Sequence, residues 1–271
     1  MNSRSIRAFQ KTVYAHYRTY GRDFPWRKTH DPYKILVSEI MLQQTQVERV
    51  VEKYRAFLKQ FPTVHALAYA SLGDVLRAWQ GLGYNRRARM LHECAKVVVR
   101  EYRGKFPKTR EKLVALPGIG PYTAGAVLAF AYNSAVPIIE TNIRTVFLRH
   151  FFKGVDQVSD RDIFVCIDAT LDRENPRAWY AALMDYGSHL KKKYGNQNVR
   201  SKHYTKQSKF EGSDRQIRGA LLRALKDGAL SKVKLACVLA DLDEARVAAQ
   251  LAALLKEGLI SKVGGRYELG S

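Results

Sequence analysis

Cysteines, acidic residues and long apolar runs are all scarce in this chain of 271 residues. The three cysteines, Cys94, Cys166 and Cys237, lie far apart in the sequence, which indicates neither a disulfide framework nor a metal cluster. A reducing compartment suits such a chain best. No run approaches the roughly 18 apolar residues of a membrane span, and the first residues lack the apolar core of a signal peptide. We therefore expect a cytoplasmic protein that does not enter a membrane.

Positive charge is present in excess, with 46 Lys and Arg against 25 Asp and Glu and a net charge of +21. Hydrophobic residues at 46% and aromatic residues at 11% exclude a disordered polybasic chain. A folded chain of this charge indicates a polyanionic partner, most often nucleic acid, although generic basicity is the alternative. Residues 1–213 carry 36 basic and 18 acidic residues, and residues 214–271 carry 10 and 7. The first part is therefore the predicted polyanion binder.

Apolar residues recur with helical periodicity along most of the chain, and no convincing strand pattern precedes residue 214. This predicts an all-α first part. Residue 71 is a serine suited to capping a helix. The predicted helices cover residues 5–20, 32–61 (as two helices broken near 44–46), 62–70, 71–78, 86–102, 110–115, 122–131, 141–152, 160–171 and 177–190.

The last 58 residues have a different pattern. Helices are predicted over 214–226, 231–240 and 243–257, followed by two short strands around Gly264 and Gly265, which is a hairpin signal. Three helices and a hairpin predict a winged-helix domain, with a generic small helical domain as the alternative. Ahead of it, residues 187–213 are rich in Lys, Arg, Gly, Asn and Ser, which predicts a basic loop.

Four motifs can carry chemistry. In Leu-Pro-Gly-Ile-Gly-Pro at 116–121, Gly118 and Gly120 let backbone N–H groups at a helix N-terminus approach a phosphate, which predicts a helix-hairpin-helix clamp. In Ser-Glu-Ile-Met-Leu-Gln-Gln-Thr-Gln at 38–46, Glu39 is a lone acid in an apolar helix. Burial favours the protonated form of a carboxyl group, so Glu39 is a candidate general acid; a structural carboxylate is the alternative.

The same segment ends in an amide-rich turn, where Gln43, Gln44 and Thr45 can hydrogen-bond base edges, or form an ordinary solvated turn.

Glu140 opens a helix after an apolar pair, so it can cap that helix or face a developing cation. Tyr84, followed by Arg86, suits stacking beside a phosphate backbone, although a basic helix start is the plain alternative.

Taken in order, these motifs match one family. Between residues 24 and 190 the chain contains WR, DPY, SEIMLQQTQV, GLGYNRRARMLH, LPGIGPYTAGAV and ETNIRTV. It resembles the helix-hairpin-helix DNA glycosylase superfamily, and within it the MutY adenine glycosylases. The resemblance implies an all-α fold of two lobes with DNA in the cleft between them. Residues 31–139 would form a six-helix barrel, residues 1–30 and 140–213 the second lobe with its basic loop, and residues 214–271 the winged helix.

The resemblance also implies a mechanism. Such enzymes flip the target base out of the duplex. Glu39 would protonate the purine at N7, and a second carboxylate would stabilise the oxocarbenium-like sugar, as in glycoside hydrolysis. The family's second carboxylate is an Asp, whereas the aligned residue here is Glu140, which is one methylene longer. Tyr122 stands where bifunctional relatives carry the Lys that forms a Schiff base, which implies a monofunctional enzyme. Asn142 matches a family active-site Asn.

Further residues are assigned by the same resemblance. Gln43, Gln44 and Tyr84 would enter the duplex near the opposing base. The adenine pocket would be lined by Trp26, Arg27 and Leu42. The family's amide or acid that reads the adenine edge aligns near Ala181, which cannot hydrogen-bond, so Asp185 and Tyr180 are the alternatives for that role.

MutY enzymes hold a [4Fe–4S] cluster on four cysteines after the segment equivalent to 180–190, but this chain has no cysteine there. Cluster binding needs thiolates, so we predict no iron–sulfur cluster, no other cofactor and no metal. The basic loop, with Lys191, Lys192, Arg200 and Lys202, would replace the cluster loop's phosphate contacts. The family's MutT-like domain is also replaced by the predicted winged helix.

The leading hypothesis is a DNA N-glycosylase of base excision repair that removes adenine mispaired with guanine or 8-oxoguanine. One alternative is the same scaffold excising uracil or thymine from mispairs with guanine, and another is a non-catalytic DNA-binding protein. We expect a monomer that binds double-stranded DNA with a mispaired base in a prokaryotic, nucleoid-associated setting. The winged helix is expected to bind DNA or a protein partner, or to shield an apolar face.

Overall fold

A computed structural model describes residues 2–206 and 209–270. It is mostly helical, with one small sheet near the end of the chain. The chain forms two compact units. The first comprises Met1–Leu36, Pro107–Ala115 and Ile119–Lys206, and the second comprises Val37–Phe106, Leu116–Gly118 and Gln207–Ser271. The predicted functional division into two lobes and a winged helix is not tested by this grouping and stays a prediction.

The first unit is built from six helices and the start of a seventh among its described residues. They are α1 (Ser3–Tyr20), the first turn of α2 (Pro32–Leu42), α7 (Arg110–Val114), α8 (Pro121–Tyr132), α9 (Thr141–Phe151), α10 (Asp160–Thr170) and α11 (Pro176–Tyr194). Its core packs Phe9, Phe147 and Trp179 together. A Cβ atom on Gly187 of α11 would lie 2.1 Å from the Asn142 carbonyl oxygen, so only glycine allows α11 to pack this closely on α9.

The second unit contains the rest of α2 and the four helices that follow it, together with the tail. These are α3 (Val47–Gln60), α4 (Val64–Ala68), α5 (Leu72–Ala78) and α6 (Arg86–Tyr102), then α12 (Asp214–Ala224), α13 (Lys232–Val238) and α14 (Glu244–Lys256). Ser71 caps α5 by accepting a hydrogen bond from the Asp74 N–H, as the sequence predicted.

The tail carries a three-stranded antiparallel sheet in the order β1-β3-β2, formed by β1 (Leu230–Ser231), β2 (Ile260–Val263) and β3 (Arg266–Leu269). Ile260 pairs with Leu269 and Val263 with Arg266. The hairpin turns at Gly264 and Gly265, which both have positive φ. The predicted hairpin is therefore present, and β1 adds a strand that was not predicted.

One sequence-based prediction is wrong in part. The helix predicted over 177–190 extends to Tyr194, so residues 187–194, which were also assigned to the basic loop, are the last two turns of α11. Lys191, Lys192 and Lys193 occupy the final turn, where positive charge is favourable beside the partial negative charge of a helix C-terminus. Gly195, with φ of 78°, follows the helix. A parallel bridge between Val158 and Ser201 is a further departure from the strandless prediction for this part.

Among residues 2–206 and 209–270, no helix combines the length and the apolar character that a membrane span requires.

Candidate active site and nucleic-acid interface

The first candidate catalytic residue, Glu39, lies on α2 in an apolar stretch. Only 6% of its surface is exposed, and its neighbours Val37, Ile40 and Met41 are buried as well. Five of the seven residues from 35 to 41 are apolar and all seven are buried, so this part of α2 is covered on all sides and the carboxyl group is buried with it. The position suits a general acid that water does not reach freely.

The amide-rich turn follows directly and is held in place by Arg87. The Arg87 Nη1 donates hydrogen bonds to the carbonyl oxygens of Ile40 (2.7 Å) and Met41 (3.1 Å), and to that of Gln43. Its Nη2 donates to Thr45 Oγ1 at 3.1 Å. One half-buried guanidinium group therefore closes the end of α2 and fixes the turn after it.

Arg87 also binds the loop that precedes α6. Its Nη2 donates to the carbonyl oxygens of Leu82 and Gly83, both at 3.1 Å. Burial lowers the pKa of Arg87 to about 10. Arg86, the arginine assigned to DNA binding from the sequence, is exposed. Arg87 belongs to the same arginine-rich motif, but its bridging role was not predicted. A signal for that role was available, because residue 87 lies on the same helical face as the buried Leu91 and Cys94.

Tyr84 and Gln44, both predicted to contact DNA, share an unusual backbone conformation. Their φ values are 48° and 55°, in the left-handed region that side chains other than glycine rarely adopt. The Tyr84 ring lies near two guanidinium groups, with its centroid 5.3 Å from Cζ of Arg87 and 5.5 Å from Cζ of Arg215. The Arg215 Nη1 donates a hydrogen bond of 2.7 Å to the Tyr84 hydroxyl oxygen.

The predicted phosphate clamp has the local geometry of a helix start. Gly118 has φ of 73°, and a Cβ atom there would lie 2.5 Å from Cβ of Met90, so glycine is required. Gly120 is the N-cap of α8, and Pro121 is its first residue. A Cβ atom on Gly120 would meet no other atom within 4 Å, which leaves space beside the helix N-terminus for an anion.

Glu140 is the N-cap of α9. Its Oε1 accepts a hydrogen bond of 2.7 Å from the Ile143 N–H, and its Oε2 accepts bonds from Asn142 Nδ2 (3.2 Å) and Thr141 Oγ1 (3.1 Å). The capping interpretation of the sequence is therefore confirmed. Burial raises the pKa of Glu140, against the opposing effect of the hydrogen bonds and of Arg144. Tyr122 is half-buried in the first turn of α8.

Asp185, one of the predicted base-pocket residues, is buried and paired. It accepts bonds from Arg22 Nε (2.7 Å) and the Arg22 N–H (2.8 Å), and two from the Arg27 guanidinium, both 2.8 Å. These bonds lower the pKa of Asp185, although burial alone would raise it. The Arg27 Nη2 also lies 3.4 Å from the carbonyl oxygen of Ala181. Asp185 and Arg27 thus stabilise the first unit, and their assignment to the base pocket stays a prediction.

The other base-pocket residues are placed as follows. Trp26 is buried and its ring stacks on Phe24. Leu42, the last residue of α2, is partly exposed. Ala181 is 5% exposed. The Tyr180 hydroxyl donates to the Val136 carbonyl and accepts from the Ile138 N–H, so this alternative reader of the base already has two interior partners.

The predicted basic loop divides into exposed and engaged residues. Lys191, Lys192 and Lys202 are exposed, as phosphate contacts require. Arg200 instead donates to the carbonyl oxygens of Phe152, Leu148 and Val155. The sequence analysis missed the neighbouring Asn198.

Asn198 is 4% exposed. Its Nδ2 donates to the Thr141 carbonyl oxygen at 3.1 Å and to Thr145 Oγ1 at 3.0 Å. This short segment is therefore attached to α9 by amide and guanidinium groups.

Comparison with known proteins gives a consistent assignment. Residues 37–161 match the HhH-GPD superfamily of base excision DNA repair proteins. The adenine DNA glycosylase of Mycolicibacterium smegmatis is 37% identical over 92% of this chain and 91% of that protein. The chain belongs to this family of DNA glycosylases. Its relative in Mycobacterium tuberculosis H37Rv, also an adenine DNA glycosylase, is 35% identical over 94% of this chain and 91% of that protein.

Solved structures in the superfamily share the fold. A thermostable thymine-DNA glycosylase matches with a TM-score of 0.63 and 27% identity, over 68% of this chain and 87% of that chain. An endonuclease III trapped on DNA matches with a TM-score of 0.58 and 18% identity, over 70% and 87%. The predicted helix-hairpin-helix glycosylase fold is therefore confirmed.

The residues of this glycosylase do not fit the iron–sulfur cluster that the resemblance implies for its relatives. Such a cluster takes four thiolates, but the chain has three cysteines, which lie on α6, α10 and α13. Within residues 2–206 and 209–270, no group of three or more His, Cys, Asp or Glu side chains is arranged to hold a metal ion. No step of the chemistry below depends on such a group, and the absence of a cluster stays a prediction.

Proposed function

We propose that this glycosylase flips adenine out of double-stranded DNA, where it is mispaired with guanine or 8-oxoguanine, and hydrolyses its N-glycosidic bond. The observation that carries the proposal is the buried Glu39, 6% exposed, in a chain that is 37% identical to an adenine DNA glycosylase over nearly its whole length. We expect the enzyme to act as a monomer on the bacterial nucleoid.

The proposed reaction begins with proton transfer. Glu39 donates its proton to N7 of the extruded adenine, which turns the base into a leaving group. The bond between C1′ and the base breaks, and both electrons leave with the adenine. Positive charge then develops on the sugar. A water molecule forms the new bond to C1′ and gives up a proton to the Glu39 carboxylate, which restores the acid for the next turnover.

The second carboxyl group stabilises the cation. We assign this role to Glu140, in its ionised form, with Asn142 donating to the same carboxylate (3.2 Å between Nδ2 and Oε2). A fixed negative charge near a developing cation contributes most where its position is held before the reaction. Tyr122 supplies no amine, so no Schiff base forms and the sugar–phosphate backbone is left intact.

The duplex is held from both sides of the lesion. Gly118 and Gly120 present backbone N–H groups to one phosphate, and exposed lysines, including Lys191, Lys192 and Lys202, contact the backbone elsewhere. The amide groups of Gln43 and Gln44, with Thr45, read the edge of the opposing guanine or 8-oxoguanine. The hydrogen bonds of Arg87 support this role, because they hold the backbone of the turn in place before DNA binds.

Single-turnover excision on four labelled duplexes tests the proposal, with A:8-oxoguanine, A:G, U:G and T:G as the target pairs. We expect excision from the first two and none from the others, and we expect Glu39→Gln to excise nothing at a measurable rate. Excision confined to U:G or T:G would show that the substrate is a pyrimidine and not adenine. The presence of Ala181 allows this outcome, because alanine cannot hydrogen-bond to the edge of adenine. No excision from any duplex by the folded wild type would leave only the DNA-binding hypothesis.

A further inference from the structure

A cavity of about 1000 Å³ opens within the second unit, on the side of the amide-rich turn. Two parts of the chain that are distant in sequence line this cavity. The barrel contributes the turn at 43–46 and the loop at 81–87, and the tail contributes Phe210 and one face of α12. The cavity therefore exists only because the tail packs against this part of the barrel.

The cavity is strongly basic. Its acidic lining is limited, among the described residues, to Glu257, against six arginines: Arg49, Arg86, Arg87, Arg215, Arg218 and Arg223. Glu257 pairs with Arg218 at 2.6 Å. Even when Arg218 and Glu257 are counted as a neutral pair, a large excess of positive charge remains around the cavity. Such a concentration of guanidinium groups is suited to phosphate oxygens.

Helix α12 has two different faces. Ile217 and Leu221 are buried on one side, whereas its three arginines line the cavity together with Gly219. Glycine inside a helix is destabilising relative to alanine. A Cβ atom on Gly219 would lie 3.2 Å from Nη1 of Arg223, so the glycine leaves that arginine room beside the helix. The tail has little net charge, but its arginines on α12 are all directed to this surface.

The tail is fixed on the barrel around the cavity. The Arg77 Nε donates to the Lys226 carbonyl oxygen at 2.9 Å, Gln80 Nε2 lies 3.4 Å from that of Leu222, and Arg89 donates to that of Glu257. Arg215 reaches across to the Tyr84 hydroxyl. The arginines of α12 are thus held beside the left-handed residues Tyr84 and Gln44, and backbone strain of this kind concentrates at functional sites.

We propose that α12 is a phosphate-binding helix: Arg215, Arg218 and Arg223 bind backbone phosphates of the DNA strand whose nucleotide meets Gln43, Gln44 and Tyr84. This rests on the proposed function, since it takes duplex DNA as the ligand, and it adds the tail to the DNA-binding surface. Each arginine that neutralises a phosphate releases condensed counterions, so its contribution appears in the salt dependence of binding.

The experiment measures the affinity of the full-length protein for a fluorescent A:G duplex between about 50 and 200 mM salt, in a Glu39→Gln background that prevents turnover. Each of Arg215→Gln and Arg223→Gln should make the slope of log K against log salt shallower by about 0.9. The factor by which affinity falls between the two salt concentrations should then be about 3.5-fold smaller than for the parent protein. The double variant should lose about twice as much slope. Arg223→Lys, which keeps the charge, should restore it.

The matched control is Arg266→Gln, an exposed arginine on β3 of the same tail that does not line the cavity. Its slope should equal that of the parent protein, and thermal unfolding should show every variant folded. Unchanged slopes for the α12 variants, or an equal loss with Arg266→Gln, would overturn the proposal. Because binding needs no excision, such a result would leave the proposed adenine chemistry untouched.

Discussion

The carboxyl group of Glu140 accepts three hydrogen bonds in the first turn of α9, and these bonds limit how far its oxygens can move. Its longer side chain reaches back to the Ile143 N–H as a helix cap. An aspartate is also a good cap, so the extra methylene is not needed for capping. The extra length therefore changes where the carboxylate charge lies, which is the property that matters for the cation-stabilising role proposed for Glu140.

Substitutions at Glu140 should separate its two roles. Glu140→Ala removes the cap and should lower the free energy of unfolding by about 1 kcal/mol, together with a large loss of excision. Glu140→Gln keeps an acceptor oxygen for the cap but carries no charge, so it should reduce the single-turnover rate by about 100-fold or more with a smaller stability change. Urea unfolding and single-turnover kinetics measure the two effects. Equal rates for Glu140→Gln and wild type would remove Glu140 from the mechanism.

Two elements of the first unit, the segment at 22–27 and α11, are joined by the buried Asp185. Its side chain is 1% exposed, that of Arg27 is 16% exposed and that of Arg22 is 35% exposed, so the pair with Arg27 is the better shielded from water. Removing one partner of such a pair leaves a buried charge without compensation. Asp185→Asn should therefore destabilise the protein at neutral pH by about 3 kcal/mol.

The pH dependence of this effect has a definite sign. The pKa of Asp185 is lowered in the folded state, so its contribution is fully present above the unfolded pKa of about 4 and is lost as the pH falls through the folded value. The difference in unfolding free energy between wild type and Asp185→Asn should stay constant from about pH 7 to about pH 5 and narrow only as the pH falls below about 4. Urea titrations at several pH values measure it; a difference independent of pH would show that packing, not charge, stabilises this site.

Arg87 binds two segments that are predicted to contact DNA, the turn at 43–46 and the loop at 81–84, and its loss should affect both. Arg87→Lys keeps the charge but cannot bridge acceptors on both sides, so carbonyl groups of the turn and of the 81–84 loop lose a partner. We expect a loss of about 3 kcal/mol in unfolding free energy and weaker binding to the A:G duplex. Arg86→Lys is the matched control, because Arg86 is exposed and should leave the unfolding temperature unchanged. Equal stability of the two variants would exclude the bridging role.

The helices were predictable from the sequence because their apolar period and their capping residues are local. The prediction for 86–102 matches α6 at both ends, and the break near Gln44 is where α2 gives way to α3. The loop predicted from residue 187 failed, since lysines stabilise a helix C-terminus as readily as they solvate a loop. The partners of Arg87, Asp185 and Asn198 could not be predicted, because each lies far along the chain and is fixed by tertiary packing.

At the scale of the whole molecule, the positive charge is used in two ways. Exposed lysines such as Lys191 and Lys202 remain available for phosphate, whereas Arg87 and Arg200 bind carbonyl oxygens in the interior. Net charge alone does not distinguish cations that are available to phosphate from cations that bind carbonyl oxygens. The net charge of +21 therefore predicted a polyanionic partner, but not the residues that contact it. The burial and the hydrogen bonds of each Lys or Arg side chain show whether it is exposed and available for phosphate or bound to carbonyl oxygens of the protein.

The segment after α11 is held in place by hydrogen bonds. Asn198 and Arg200 attach it to α9 and the residues that follow through hydrogen bonds to Thr141, Thr145, Leu148 and Phe152. Because these bonds need no thiolate or iron, the purified protein should be colourless and free of iron by metal analysis. Incubation with a strong chelator should leave its unfolding temperature and its excision rate unchanged.

Asn198→Ala, in contrast, should lower the unfolding free energy by about 2 kcal/mol, since it removes the two hydrogen bonds that this buried amide donates to α9. Asn198→Asp is a stricter test, because it keeps the size of the side chain but replaces its donor with an acceptor that faces the Thr141 carbonyl oxygen. It should destabilise the protein at least as much as the alanine variant. A brown protein that contains iron and loses stability on chelation, with Asn198→Ala as stable as wild type, would mean that metal rather than hydrogen bonding holds this segment.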